Sequence, residues 1–370
     1  MKLLRKYTLN ELIAPFFGSL IIFTFIFVVG NLVKLADLII NRGVNILDVL
    51  YIIVLLVPRL LSFTIPTSAI TAILLVFGAM AQNNEIIAMK ASGINVFRML
   101  AHVILVSLVI SVCSLFLNDQ ILPKTHFAYR KALKNVLVKK PLAYIQAGRF
   151  IKEFDDYIIF IREIEGNELK NITIYQPQED KPTRTIIAEK GEIITDNVNK
   201  TLSLKLYNGT SDEPNPEDPS IFYKLDFKTF IMPPFVVDER KDIDKKTKDM
   251  SIDELYHKLN RNVKAESKLD QHEKEMLSRL KAEIHKKVAF SFAPFVFALV
   301  GIPLALITRR GDTVISFALA LIVITVYYVL FGWASTVAIK GLVVPWLALW
   351  LPNIVLAVIG VIFMFKVNRT

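Results

Sequence analysis

The apolar residues of this 370-residue chain gather into two blocks, Leu9 to Leu117 and Val288 to Phe365, with a polar stretch rich in Lys, Glu, Asp and Pro between them. That interruption constrains the fold more than any other feature. A soluble core cannot absorb apolar runs of this length, and a simple membrane anchor needs only one of them. At 53% hydrophobic residues and a mean hydropathy of +0.46, the chain is more apolar than a soluble globule, and the excess lies inside the blocks.

A bilayer core of roughly 30 Å is crossed by about 20 apolar residues in a helix. Runs of that kind are Leu12–Val33, about Val49–Met80 and about Met99–Leu117, then Val288–Ile307, Thr313–Ser335 and Pro345–Phe365. The basic opening MKLLRKYTLNELIAPFF is followed by too long an apolar run for a signal peptide, so a retained first helix is expected. Cys113, the single cysteine, lies inside a span and excludes a disulfide framework or cysteine metal site within the chain.

Lys2, Arg5, Lys6, Lys90, Arg98, Arg309, Arg310, Lys366 and Arg369 fall on one side of this layout, against Lys34, Arg42 and Lys340 on the other. The positive-inside rule then places both termini in the cytoplasm and the polar insert outside it, and anionic lipid rather than nucleic acid explains the net charge of +10.

The insert changes period. In Thr201–Tyr207, Leu202, Leu204 and Leu206 alternate with Ser203 and Lys205, and Asn208-Gly209 reads as a turn. Similar short segments recur between turn signals, which predicts an antiparallel sandwich or jelly-roll-like fold over about residues 141–235. Residues 251–287 read as a charged helical linker that opens on a capping box, Ser251 with Glu254. The fold class expected is an α-helical polytopic membrane protein of about six transmembrane helices with a periplasmic β-jelly-roll domain inserted between helices three and four. Its expected parts are residues 1–118, 119–287 and 288–370.

Two groups of residues invite a functional reading. In the loop QNNEIIAMKASGINVFR, Asn84 suits a helix cap, Glu85 the positive helix end and Gly93 a left-handed C-terminal position. Taken alone, the loop favours an interfacial turn over a rigid helix presented to a partner at residues 83–93. Lys34 and Arg59 lie near the outer ends of spans one and two, as snorkelling side chains or as a basic rim for an anionic head group. Pro58 and Pro66 are expected to kink span two and splay its outer half.

No Gly-rich nucleotide loop occurs, so this chain is not expected to hydrolyse ATP itself. The position where a zinc-protease helix has its second histidine is Met276, and no metal or cofactor is expected. Carboxylates are nearly missing from the spans, against a proton- or sodium-coupled carrier. The sequons at Asn171, Asn199 and Asn208 are read as chance.

Along essentially its whole length the chain resembles the LptF/LptG permeases of lipopolysaccharide export. Asn83–Ile94 (NNEIIAMKASGI) is similar to the family's cytoplasmic coupling segment, Ile145–Phe150 (IQAGRF) to the opening of its first β segment, and Ala282–Gly311 to its fourth span. Lys34 resembles a lysine of LptG-type first spans, and Arg59 falls where LptG-type chains are basic. The β opening and the Ile302-Pro303-Leu304 exit look closer to LptF, so the paralogue stays unassigned.

The resemblance implies lipid extraction by an ABC transporter permease of the bacterial inner membrane, serving outer-membrane biogenesis. It implies an ATPase dimer docked on Glu85, Ile86, Ala88, Met89, Ser92 and Gly93, and a paralogous permease as partner. Membrane-anchored and soluble periplasmic jelly-roll bridge proteins would follow. Lipopolysaccharide phosphates would be held by Lys34, Arg59 and Arg42. Rival readings are a permease for another anionic lipid or glycolipid, and a membrane-anchored sensor or assembly factor without transport.

Overall fold

The computed structural model describes residues 2–40, 44–139, 147–148, 150–154, 157–165, 168–178, 181–196, 201–214, 222–233, 235–236, 245–263, 271–308 and 312–369. The chain runs through α1 (Lys2–Ile40), α2 (Ile46–Gln82), α3 (Glu85–Ala91), α4 (Val96–Phe116), a π-helical segment (Leu117–Ile121) and α5 (Leu122–Lys139). After the strands come a 3-10 turn (Thr247–Asp249), α6 (Ile252–Val263), α7 (Gln271–Ser291), α8 (Ala293–Thr308), α9 (Thr313–Ile339) and α10 (Pro345–Arg369). Among the described residues, five helices are long and apolar enough to cross a membrane, and a sixth span forms if α7 and α8, bent by 40° at Phe292, count as one.

The bend has a local cause. Pro294 has no N–H, and its ring excludes the carbonyl one turn earlier, so the ladder breaks. The freed Phe295 N–H donates to Ser111 Oγ of α4 at 3.1 Å. By contrast α2 runs unbroken through Pro58 and Pro66, with Thr67 Oγ1 donating to the Phe63 and Thr64 carbonyls at 3.2 and 2.8 Å.

Two compact units emerge, one of Met1–Val33, Ile53–Tyr129 and Asp244–Thr370, the other of Lys34–Ile52 and Arg130–Ile243. The first has a core of Ile70, Phe77, Phe297, Val300 and Tyr327 from α2, α8 and α9. Small residues let the helices approach: a Cβ on Gly360 of α10 would lie 2.5 Å from the Leu299 carbonyl oxygen of α8. Tyr327 donates to Asn353 Oδ1 at 2.9 Å, and Asn353 Nδ2 donates to the Ala289 carbonyl at 2.7 Å, tying α9, α10 and α7.

The second unit carries β1 (Phe150–Phe154), β2 (Tyr157–Glu165), β3 (Glu168–Gln178), β4 (Lys181–Asp196), β5 (Thr201–Pro214), β6 (Phe222–Ile231) and β7 (Phe235–Val236). All pairings are antiparallel and β1 to β6 lie in chain order, an inserted antiparallel sheet as the alternation predicts. Its core is one face of alternating residues: Ile159, Ile161, Ile172, Ile174, Leu204 and Leu206. β7 resumes the pairing of β6 with β5 after Pro233 interrupts it.

Asn208-Gly209 is not a turn but lies within β5. By register, Asn171 of β3 and Asn208 of β5 both face Glu189 of β4, and both have left-handed φ, 51° and 48°. Asparagine tolerates that backbone. The pair marks a crease across three strands. A Cβ on Gly209 would meet the Ile187 carbonyl and the Phe227 ring, so only glycine fits there. The sequon at Asn199 lies outside the described residues.

The capping box on α6 forms in both directions: Glu254 N donates to Ser251 Oγ at 3.2 Å, and Ser251 N to Glu254 Oε2 at 3.0 Å. Lys245 Nζ, 2.6 Å from Glu254 Oε1, together with the Ser251 amide, holds the Glu254 carboxyl below the usual carboxylate range. A carboxyl lowered on folding stabilises at pH above its unfolded value, and that support is lost as pH falls through the folded value. The melting temperature of detergent-solubilised protein should therefore fall on acidification less steeply in Glu254→Gln than in wild type. Parallel acid limbs would contradict this.

Candidate functional site

The loop between α2 and α4 is an ordered helix. At its start, Asn84 stands in the N-cap position with φ 60° and makes no side-chain cap, contrary to the sequence expectation. The left-handed backbone itself turns the chain out of α2, a conformation asparagine accepts, and the Asn84 carbonyl receives the Ala88 N–H at 2.9 Å. At its end, Gly93 N donates to the Lys90 carbonyl and Ile94 N to the Met89 carbonyl, each at 3.0 Å. With Gly93 at φ 73°, this is the Schellman closure that the glycine suggested.

The three-residue spacing of Ile86 and Met89 puts both on one face, where they are buried in the core of the first unit. Burial of each contributes roughly 1.5–3 kcal/mol, enough to fix a seven-residue helix that could not persist alone. Of the six residues expected to dock a partner, these two therefore serve as the base. The outer ridge is formed by Glu85, half-buried, with Ala88, Ser92 and Gly93 exposed. Ile87, 46% exposed, joins them, although the sequence reading did not single it out.

Two hydrogen bonds tie this helix to distant parts of the chain. Tyr7 OH of α1 donates to Glu85 Oε2 at 3.4 Å, and Lys90 Nζ donates to the Val367 carbonyl in the last turn of α10 at 3.2 Å. The second also places a cation against the negative end of a helix. Between α3 and the ends of α8 and α10 is a cavity of roughly 440 Å³, lined by Ile86, Ile87, Lys90, Leu306, Ile307 and Lys366 among others.

Of the residues expected to hold anionic head groups, Lys34 and Arg59 fall in described helices. Lys34 lies in α1 and within the second unit, while Arg59 is an exposed residue of α2 within the first. Arg42, like Arg309 and Arg310, lies outside the described residues.

Sequence reasoning missed a chain of buried polar groups. Asn118, in the π-helical segment, accepts from Ser62 Oγ of α2 at 2.5 Å and donates to Ser291 Oγ of α7 at 2.9 Å. Lys287, buried, donates to the Asn118 carbonyl at 3.3 Å and to the Met250 carbonyl at 2.6 Å. The available signal was a lysine and an asparagine at the edges of apolar runs, where polar side chains need partners.

These features define a class, a multi-pass membrane protein with an antiparallel sheet domain inserted between its helices and an ordered, partly exposed helix linking two spans. Residues 6–366 match the family model described as lipopolysaccharide export system permease LptF/LptG. The chain belongs to that family. It is also 24% identical over 198 residues to an uncharacterized protein of Rickettsia prowazekii (strain Madrid E), a match covering 52% of this chain and 54% of that relative.

Since no atom lies within 4 Å of a Cβ added to Gly93, substitution there tests backbone strain alone. Gly93→Val should weaken the closure of α3 by about 1–2 kcal/mol, whereas Gly93→Asn should be tolerated. Amide hydrogen exchange over residues 84–94 should accelerate only in the valine variant. Equal exchange in both would contradict the assignment.

Proposed function

We propose that this permease is the membrane subunit of an ATP-driven transporter that extracts lipopolysaccharide from the outer leaflet of the bacterial inner membrane. The observation that carries this reading is the ridge of Glu85, Ile87, Ala88 and Ser92. In a family of export permeases, it presents a carboxylate and apolar surface on a helix anchored to both α1 and α10. A cytoplasmic ATPase dimer docks on this ridge and on its counterpart in a paralogous permease, and nucleotide-driven movement of the helices reaches the spans through Tyr7 and Lys90. The positive-inside distribution supports cytoplasmic termini and a periplasmic sheet domain.

Lys34, Arg42 and Arg59 provide ammonium and guanidinium donors for the lipid phosphates, chemistry for which these groups are suited. Acyl chains leave along the sheet domain towards membrane-anchored and soluble periplasmic bridge proteins. The domains act in series: residues 1–118 with the coupling helix at about 83–93, the periplasmic region 119–287, and residues 288–370.

Two measurements test this. Glu85→Lys should abolish co-purification of the ATPase and block growth while leaving the amount of membrane-inserted permease unchanged. Retained ATPase association would overturn the docking assignment and favour a sensor without transport. Mass spectrometry of lipid co-purified with the wild-type complex should find lipopolysaccharide, and finding only another anionic lipid would overturn the cargo.

A further inference from the structure

The stretch that leads the chain from the β insert towards the fourth span, Lys245 to Ile252, is gripped by three side chains from separate helical elements. His126 of α5 is paired with Asp249 at 2.5 Å, and the fully buried Asp249 side chain also accepts from Lys246 N at 2.9 Å. Lys287 of α7 donates to the Met250 carbonyl. Asp119 of the π-helical segment accepts from Ile252 N at 2.6 Å and from Gln120 Nε2 at 2.8 Å. Through Asn118, the same π-helical segment reaches Ser62 of α2 and Ser291 of α7. Polar contacts therefore run from α2 to the return stretch without a gap.

A bland reading would make this ordinary packing where helices end. Two features exceed it. Lys287 is buried, with the carboxylates of Asp119, Glu283 and Glu254 near enough to act on its charge, yet its described hydrogen bonds go to main-chain carbonyls. A buried charge of this kind is costly, and an apolar side chain of similar volume would often stabilise the fold as well or better. The contacts also converge on a π-helical segment, closed by Leu122 N on the Leu117 carbonyl. Such segments are rare and concentrate where a helix has a task beyond spanning. Charge and irregular backbone are thus both spent on fixing one register between the helices and the return stretch.

We propose that Lys287, Asp119 and His126 are positioning residues forming a latch, which transmits movement of the spans to the stretch leading from the β insert. This rests on the export reading above. The latch takes no part in ATP hydrolysis, so opening it uncouples hydrolysis from delivery.

The test uses the full complex of both permeases, the ATPase and the bridge proteins in proteoliposomes. ATP hydrolysed and lipopolysaccharide delivered to the soluble bridge protein are measured together. In Lys287→Met, Asp119→Ala and His126→Phe, delivery per ATP should fall about tenfold, within the range such couplings carry, while hydrolysis is retained. Lys287→Arg should restore most of the ratio. An unchanged ratio in folded variants would overturn the latch. A proportional loss of hydrolysis, delivery and melting temperature would also overturn it, reducing these residues to packing. A wild-type complex that delivers no lipopolysaccharide would instead sink the export reading itself.

Discussion

Hydrocarbon gives a polar atom no partner, so the arrangement of this helical unit is favoured by the polar groups it pairs within the protein. Asn353 reaches both Tyr327 and the Ala289 carbonyl, Asn118 reaches Ser62 and Ser291, and Ser111 takes the amide that Pro294 leaves free at the bend. Apolar packing alone would let the helices slide, because lipid tails are as apolar as Leu. Gly360 brings two backbones close, Gly301 makes room for the Ile73 side chain, and the polar pairs select one register.

Function is built on the same economy. A seven-residue helix is too short to be stable by itself, yet Ile86 and Met89 seat it in the core and the Gly93 closure ends it cleanly. Its remaining residues are free to form a ridge. Glu85 is bonded to α1 and Lys90 to α10, so the ridge is tied to the first and last spans. At the start of the fourth span, Lys287 and its neighbours join helix ends to the return stretch.

What the sequence revealed, and what it hid, has physical reasons. The spans were legible because a bilayer demands long apolar runs, and the sheet because alternation with period two has no helical counterpart. Gly93 was legible because a left-handed C-terminal position favours glycine. Asn208-Gly209 misled because asparagine and glycine serve a left-handed crease inside a strand as well as a hairpin turn, and only register separates the two. Asn84 misled in a similar way, since its side chain suits a cap while its backbone was what the turn required. Ile86 and Met89 carry the motif but face inward, and helical phase against neighbouring spans is not written in a seven-residue stretch. The Lys287 network joins residues more than 160 positions apart, beyond any local pattern.

In the export reading, an anionic lipid passes the outer half of α2 on its way out of the membrane. A photoreactive side chain at Leu55, one helical turn from Arg59, tests it directly in the complex with the ATPase and the partner permease. The expected result is a covalent adduct with lipopolysaccharide whose yield changes when ATP is hydrolysed. An adduct with phospholipid alone, indifferent to ATP, would contradict it.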